Sequence, residues 1–127
     1  MKFRFKDFRV YKEAKGYCLF VREITKQYID KTDSGLADQI QRAANSIVLN
    51  IAEGSADNSD IEFARFLGIA IRSVYETVAG FDLAFTYGFI DNESNHEVET
   101  KAHNLVKQLA AFRNTLRPPV SGSAKSK

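Results

Sequence analysis

Apolar residues recur every three or four positions along four stretches of this chain, and polar residues and glycines separate the stretches. That spacing is typical of an α-helix with one buried face. It predicts helices over residues 8–28, 34–53 and 59–87, and a fourth from residue 92 or 94 to about residue 117. Short loops between helices of this length favour antiparallel neighbours. The predicted fold is all-α, an antiparallel up-down-up-down four-helix bundle.

The predicted helix ends carry the residue types that usually start and stop helices. Asp7, Ser34 and Ser59 are candidate N-caps, and Ser59 stands three residues before a glutamate, as in a capping box. Gly54 and Gly88 follow the predicted ends of the second and third helices. Two prolines stop the fourth helix. We therefore expect one bundle domain, residues 1–117, followed by a disordered polar tail, residues 118–127.

The third helix is apolar around well over half of its circumference. A helix that is apolar nearly all round is usually buried nearly all round, which in a chain of 127 residues indicates self-association. Gly68 and Gly80 lie inside this helix, where each costs roughly 1 kcal/mol relative to alanine. Close approach of another helix would offset that cost, and simple tolerance of each glycine is the alternative.

A row of polar residues runs along the second helix beside its apolar stripe. The members follow each other at steps of three or four and so share one face: Gln39, Arg42, Ser46, Asn50 and Glu53. Such a row needs hydrogen-bond partners, either in the same bundle or on another subunit. We interpret it as a structural or interface network, with a catalytic or ligand-binding row as the less favoured alternative.

Partners for this row are expected on the third helix. In an antiparallel hairpin of the two helices, facing residues have numbers that sum to roughly 113–115. This register places Gln39 and Arg42 near Ser73 and Glu76, and Asn50 near Arg65. Arg42 and Glu76 would form a charge-assisted pair, and Arg65 could also satisfy Glu53. The predicted network therefore consists of Gln39, Arg42, Ser46, Asn50, Glu53, Arg65, Ser73 and Glu76.

Basic residues gather at the N-terminus although the whole chain carries a net charge of only +2. Asp7 and Glu13 are the acidic residues among them, and the alternation over residues 2–6 predicts an extended lead-in that packs Phe3 and Phe5 against the bundle. A basic arm of this kind could bind phosphates without reading bases. The candidate nucleic-acid-binding residues are Lys2, Arg4, Lys6, Arg9, Lys12 and Lys15. An exposed charged face without a partner is the alternative.

Several functional classes lack their signatures. The chain has one cysteine, no apolar run long enough to span a membrane, no phosphate-binding Gly-x-x-x-x-Gly-Lys loop and no Gly-x-Ser-x-Gly elbow. The fourth helix could place His96, Glu99 and His103 on one face, but two solvated histidines explain this pattern better than a metal site. Di-iron bundles need two Glu-x-x-His pairs, and only one is present. We expect a non-enzymatic cytoplasmic protein without a cofactor, metal or membrane contact.

The segment Asn50-Ile51-Ala52-Glu53-Gly54, with its upstream Gln39, Arg42 and Ser46 and the later Ser73-x-x-Glu76, resembles a known family. These are bacterial four-helix-bundle proteins encoded by intervening sequences in 23S ribosomal RNA genes. The accessory variability protein of diversity-generating retroelements belongs to the same group. The opening Phe5-x-x-Phe8-x-Val10-Tyr11-x-x-Ala14 is also similar to the start of that family, although Phe8 replaces an expected leucine and Tyr11 a common tryptophan.

The resemblance implies an up-down bundle and a ring-shaped homo-oligomer, typically a pentamer. It also implies, for the retroelement members, binding of nucleic acid and of a reverse transcriptase through basic outer surfaces. We therefore expect an oligomeric adaptor associated with RNA or DNA. A protein-binding scaffold without nucleic-acid contact is the alternative, and the exposed side of the first and fourth helices would be its docking face.

Overall fold

A computed structural model describes residues 2–56 and 59–116 of the chain. Within these ranges four long helices follow one another: α1 (Arg9–Ile24), α2 (Ser34–Ser55), α3 (Asp60–Thr86) and α4 (Asn92–Leu116). A 3₁₀ turn, Arg4–Asp7, precedes α1, and a π-helical turn, Thr25–Ile29, continues it. Consecutive helices pack against each other and α4 closes against α1. The predicted all-α four-helix bundle is confirmed, whereas the predicted tail lies outside the described residues.

Two of the predicted N-caps were wrong. Asp33, not Ser34, caps α2, because its Oδ1 accepts a hydrogen bond from the backbone N–H of Leu36 at 3.0 Å. Phe8 occupies the N-cap position of α1 without a side-chain bond, since Asp7 forms an ion pair with Lys2 instead. An aspartate can satisfy an N-cap only from the residue directly before the first helical turn.

The starts of α3 and α4 use the caps that their sequences favour. Ser59 Oγ accepts from the backbone N–H of Glu62 at 3.2 Å, which confirms Ser59 as the cap of α3. Asp91 Oδ1 accepts from the backbone N–H of Ser94 at 2.7 Å, so α4 begins at the earlier of its two predicted positions. This hydrogen bond lowers the pKa of the Asp91 carboxyl.

Gly54 does not stop α2, as its position suggested, but lies inside the helix against α3. A Cβ atom added at Gly54 would lie 2.7 Å from the Cβ of Phe66 and 2.8 Å from the ring of Phe63. Real Cβ atoms do not approach other carbons so closely, so a side chain here would push the two helices apart. Glycine is therefore required at this position by packing.

Gly80 has the same role near the other end of the α2–α3 pair. An added Cβ would lie 2.5 Å from Cγ1 of Ile40 on α2. Close approach of another helix therefore accounts for the glycine at position 80, and that helix belongs to the same chain. Gly68 differs, because the nearest atom to an added Cβ is the Arg113 Nη1 at 3.9 Å.

The core runs the length of the bundle along the inner faces of all four helices. At one end Phe8, Phe63 and Phe112 pack edge to face or stacked, with ring centroids 5.3–6.1 Å apart. Not all of the apolar surface of α3 is buried: Ile61, Tyr75, Leu83 and Phe85 are exposed in the single chain. The largest fully buried side chains are Phe63, Phe81, Ile29, Ile40, Ile47, Ile51, Leu67, Leu109, Val21, Val74, Val98 and Thr25.

A buried hydrogen bond joins the diagonal pair α1 and α3 across the core. The hydroxyl of Tyr17 lies 2.7 Å from Oγ1 of Thr77, and Thr77 donates in turn to the carbonyl of Val74 at 2.6 Å. Because the Thr77 proton is used on Val74, Tyr17 is the donor of the bond between the two side chains. Burial raises the pKa of Tyr17 to about 12.

Replacing Gly80 by alanine should destabilise the bundle by about 1–3 kcal/mol, because the added methyl group overpacks the contact with Ile40. Gly68→Ala, the matched control in the same helix, should instead be neutral or stabilising by about 0.5–1 kcal/mol, since its Cβ has room and alanine favours the helix. Urea unfolding of both variants measures the difference. Equal free energies of unfolding would contradict the steric role of Gly80.

Tyr17 should make the bundle sensitive to alkali. Its pKa is raised in the folded state, so its contribution to stability is fully present below pH 10.0 and is lost as the pH rises toward about 12. At about 1.4 kcal/mol per pKa unit, the loss amounts to about 2–3 kcal/mol. The Tyr17→Phe variant has no ionisable group at this position. Its unfolding free energy should therefore rise relative to that of the parent between pH 10.0 and about 12. Parallel stability curves from urea unfolding across pH 9–12 would refute this role.

Candidate nucleic-acid interface

The charges of the chain are distributed unevenly over the bundle. From Lys2 to Lys26, eight basic residues stand against three acidic ones. In the rest of the described chain, residues 27–56 and 59–116, seven basic residues stand against twelve acidic ones. The N-terminal turns and α1 therefore carry a positive surface on a bundle that is otherwise acidic. A concentrated positive face can attract a polyanion even when the net charge of the whole chain is small.

Half of the six predicted nucleic-acid-binding residues have contacts within the chain. Lys2 forms an ion pair with Asp7 at 2.8 Å, which lowers the pKa of the Asp7 carboxyl. Lys15 Nζ lies 5.1 Å from the ring centroid of Tyr11. Arg4 has several partners, described next. An exposed ion pair and an exposed contact between a cation and a ring are both weak, so Lys2 and Lys15 stay available to a phosphate.

Arg4 fastens the N-terminal turn to the end of α2. Its Nε and Nη2 both donate to the backbone carbonyl of Ser55, at 3.2 and 3.0 Å. Its guanidinium also lies 5.5 Å from the ring centroid of Phe63 and 5.7 Å from that of Phe8. The last carbonyls of a helix lack intrahelical partners and carry partial negative charge, so a cation is favourable there. These contacts give Arg4 a structural role.

The extended lead-in predicted over residues 2–6 is replaced by the 3₁₀ turn that Arg4 holds. Phe5 packs edge to face on Tyr11 with ring centroids 4.8 Å apart, as the alternation suggested. Phe3 does not enter the bundle, since its side chain is 60% exposed. Its ring instead lies on the outer side of the Phe5 ring, with ring centroids 6.0 Å apart.

The side chains of Lys6, Arg9 and Lys12 are exposed and form no hydrogen bond or ion pair within residues 2–56 and 59–116, although the charge of Lys12 helps to lower the pKa of the Asp7 carboxyl. They are the members of the candidate set whose charged groups are not bonded within the described part of the chain. Lys101 on α4 joins them, because it lines a groove together with Lys12. The sequence did not indicate Lys101, since its position opposite Lys12 depends on how α4 aligns with α1.

The polar row of α2 lies at the surface beside α3, in a register different from the predicted one. Ser73 Oγ donates to Ser46 Oγ at 2.9 Å. Ser46 therefore faces a position on α3 that lies about five residues, or about one and a half turns, beyond the position predicted for it. Asn50 Nδ2 donates to the carbonyl of Ser46 at 2.8 Å and to its hydroxyl at 3.0 Å. The close contacts at Gly54 and Gly80, rather than the loop midpoint, fix this register.

The shifted register changes the predicted ion pairs. Arg42 donates to Asp38, one turn earlier on its own helix, at 2.6 Å, and not to Glu76. Arg65 likewise bonds Glu62 at 3.0 Å, and not Asn50 or Glu53. Gln39, Glu53 and Glu76 are exposed. Some members of the polar row thus have hydrogen-bond partners within the chain. The others are exposed polar side chains on the surface formed by α2 and α3.

A second groove, between α3 and α4, is mainly apolar. It has a volume of about 500 Å³ and contains the side chain of Tyr75, which is 65% exposed, beside Val78 and Val106. His103 and Glu99 stand on its α4 side. No three potential metal-binding side chains among the described residues are grouped around a common point. None of the described helices is both long and apolar enough to cross a membrane.

Substituting Arg4 should show that its role is structural. Arg4→Gln should cost about 1–2 kcal/mol of unfolding free energy, because the Ser55 carbonyl loses a charged donor and two aromatic rings lose a cation. Lys6→Gln removes the same charge two residues away and should stay within about 0.5 kcal/mol of the parent. Thermal and urea unfolding measure both. Equal effects of the two substitutions would contradict the assignment.

The comparisons with known proteins agree on one group. The family model of the 23S rRNA-intervening sequence protein matches residues 6–111 of the chain. A crystal structure from Bacteroides thetaiotaomicron VPI-5482, described as a protein with unknown function from the S23 ribosomal protein family, has the same fold. It is 20% identical to this chain, with 82% of this chain and 97% of that chain covered and a TM-score of 0.73. No curated protein matches the chain significantly.

Proposed function

Since the chain belongs to the family of 23S rRNA-intervening sequence proteins, we propose that it is a non-enzymatic adaptor that contacts the phosphate backbone of RNA or DNA. The observation that carries this proposal is the positive surface of the N-terminal turns and α1, set against an acidic remainder. Lys6, Arg9 and Lys12 present their charges to solvent on that surface. Backbone contacts by lysine and arginine need no base recognition and account for most non-specific nucleic-acid binding.

Self-association is part of the proposal. We propose a homo-oligomer, a pentameric ring as the family resemblance implies, in which each copy repeats the positive surface. Exposed apolar side chains on α2 and α3, among them Leu49 and Leu83, and the surface polar groups between these helices favour an interface there. Several copies of the surface in one assembly would bind the same nucleic acid at once. Weak phosphate contacts would then combine into a higher overall affinity, because each further contact forms at a high effective concentration. The single cysteine is in keeping with the reducing cytoplasm as its location.

The apolar groove between α3 and α4 supports the second candidate, a protein-binding scaffold. Tyr75 presents most of its ring to solvent there beside Val78 and Val106. Exposed aromatic residues in apolar grooves are common anchors of protein partners. A partner such as a reverse transcriptase, which the family resemblance implies for the retroelement members, would leave the positive surface of α1 free.

Charge reversal on α1 tests the first proposal. The double variant Lys6→Glu/Arg9→Glu should abolish the binding of a labelled RNA hairpin and of a DNA duplex at low salt. The affinity of the parent should fall steeply as the salt concentration rises. On duplex DNA, each neutralised phosphate adds about 0.9 to the steepness of the plot of log binding constant against log salt concentration. Fluorescence anisotropy across a salt series measures both, on protein whose assembly mass has been determined.

The matched control is Lys31→Glu/Arg72→Glu, which changes the net charge by the same amount at exposed sites outside the positive surface. It should weaken binding only slightly. Equal losses in the two double variants would refute a localised interface. A parent protein that binds neither probe at low salt would remove the nucleic-acid proposal and leave the scaffold.

A further inference from the structure

Gly16 is a glycine in the middle of α1 that packing does not explain. Gly54 and Gly80 have neighbours that would collide with a Cβ, whereas nothing lies within 4 Å of a Cβ added at Gly16. Glycine inside a helix is unfavourable relative to alanine. The backbone of α1 is therefore left bare at an exposed position, with open space above it.

That space is a groove between α1 and α4, which we call the Gly16 groove. Its volume is about 370 Å³, at the lower end of the range of about 300–1,000 Å³ for small-molecule sites. Of the neighbouring helix pairs in the bundle, α1 and α4 have the sparsest contact, which leaves the groove between them. The side chains that define it are Lys12, Tyr17, Phe20, Lys101 and Asn104.

The chemistry of the Gly16 groove combines positive charge with an aromatic surface. Lys12 comes from α1 and Lys101 from α4, and Lys101 Nζ lies 4.9 Å from the ring centroid of Phe20. The acidic residue in the groove, Glu13, accepts a hydrogen bond from Gln108 Nε2 at 3.3 Å. Two cations thus flank an aromatic ring and a bare stretch of helix backbone.

We infer that the Gly16 groove receives one unpaired nucleotide of a single-stranded nucleic acid. The base would lie over Gly16 and take the place of Lys101 Nζ on the Phe20 ring, with the Asn104 amide at its edge, while Lys12 and the displaced Lys101 hold the flanking phosphates. Aromatic rings beside cations are the recurring means of binding single strands, because every base has a face that stacks. Bases in a duplex are already stacked and cannot enter.

This inference rests on the proposed function and adds a preference to it. The positive surface at Lys6 and Arg9 attracts any polyanion, while the Gly16 groove selects strands with free bases. The two parts adjoin each other, since Lys6 lies in the turn just before α1 and Arg9 and Lys12 precede Gly16 on α1. A single strand could therefore run along the face of α1 and place one base in the groove.

The test compares probes that differ only in their bases. The parent should bind an unstructured nine-nucleotide RNA about tenfold more tightly than an abasic strand of the same length and charge, by fluorescence anisotropy. Gly16→Gln fills the groove and should reduce binding of the normal strand to the abasic level, while binding of the abasic strand is unchanged. Phe20→Leu, which keeps an apolar side chain, should have the same effect.

Stability provides the internal control. Gly16→Gln should raise the melting temperature, because glutamine favours the helix and its Cβ meets no neighbour, so a loss of affinity at an unchanged or raised melting temperature cannot come from unfolding. Gly68→Ala, a helix-interior glycine of α3 outside the groove, should not alter the preference for the normal strand. If it removes the preference as Gly16→Gln does, the inference is overturned.

The outcomes separate the inference from the proposed function. A parent that binds normal, abasic and duplex probes alike overturns the inference and leaves phosphate binding intact. A parent that binds none of them overturns both. A preference for the normal strand that survives Gly16→Gln and Phe20→Leu also overturns the inference, since base recognition would then lie elsewhere.

Discussion

The close approach of α2 and α3 is the constraint on which the rest of this bundle depends. At Gly54 and at Gly80 the two helices come so near that a single added carbon would collide with the other helix. Two such contacts, fourteen residues apart along α2 at Ile40 and Gly54, leave the pair no freedom to slide. This alignment determines which residues of α2 and α3 face each other. It places Ser73 within hydrogen-bonding distance of Ser46 and sets the surface on which the polar row lies.

Hydrogen bonds join α1 and the 3₁₀ turn before it to this fixed pair. Inside the core, Tyr17 bonds Thr77 of α3, and at the end of the bundle Arg4 binds the last carbonyl of α2. The first bond is buried and needs a donor and an acceptor in register, which specifies one rotation of α1. That rotation puts Val10, Ala14 and Val21 inside and leaves the basic side chains outside. The positive surface is thus a consequence of the core geometry.

Much of the fold could be predicted from the sequence, because helix periodicity is a local property. The four helices and the cap at Ser59 follow from residue types a few positions apart. The helix register could not be predicted, since it depends on contacts between residues distant in sequence. For that reason the pairing of Arg42 with Glu76 was wrong, and Lys101 was missed as a neighbour of Lys12. Charge alone likewise could not separate Arg4, which binds its own chain, from Lys6, which does not.

The attachment of Arg4 to Ser55 has a consequence for the order of folding. Arg4 is synthesised some fifty to sixty residues ahead of its partners, Ser55 and Phe63. The α2–α3 hairpin closes over a short connection and can form early, because few residues must be ordered to bring its ends together. The N-terminal turn can bind only after that hairpin exists. A nascent or partly folded chain therefore carries the basic residues without their final arrangement, and the positive surface is completed late, when the bundle is already closed.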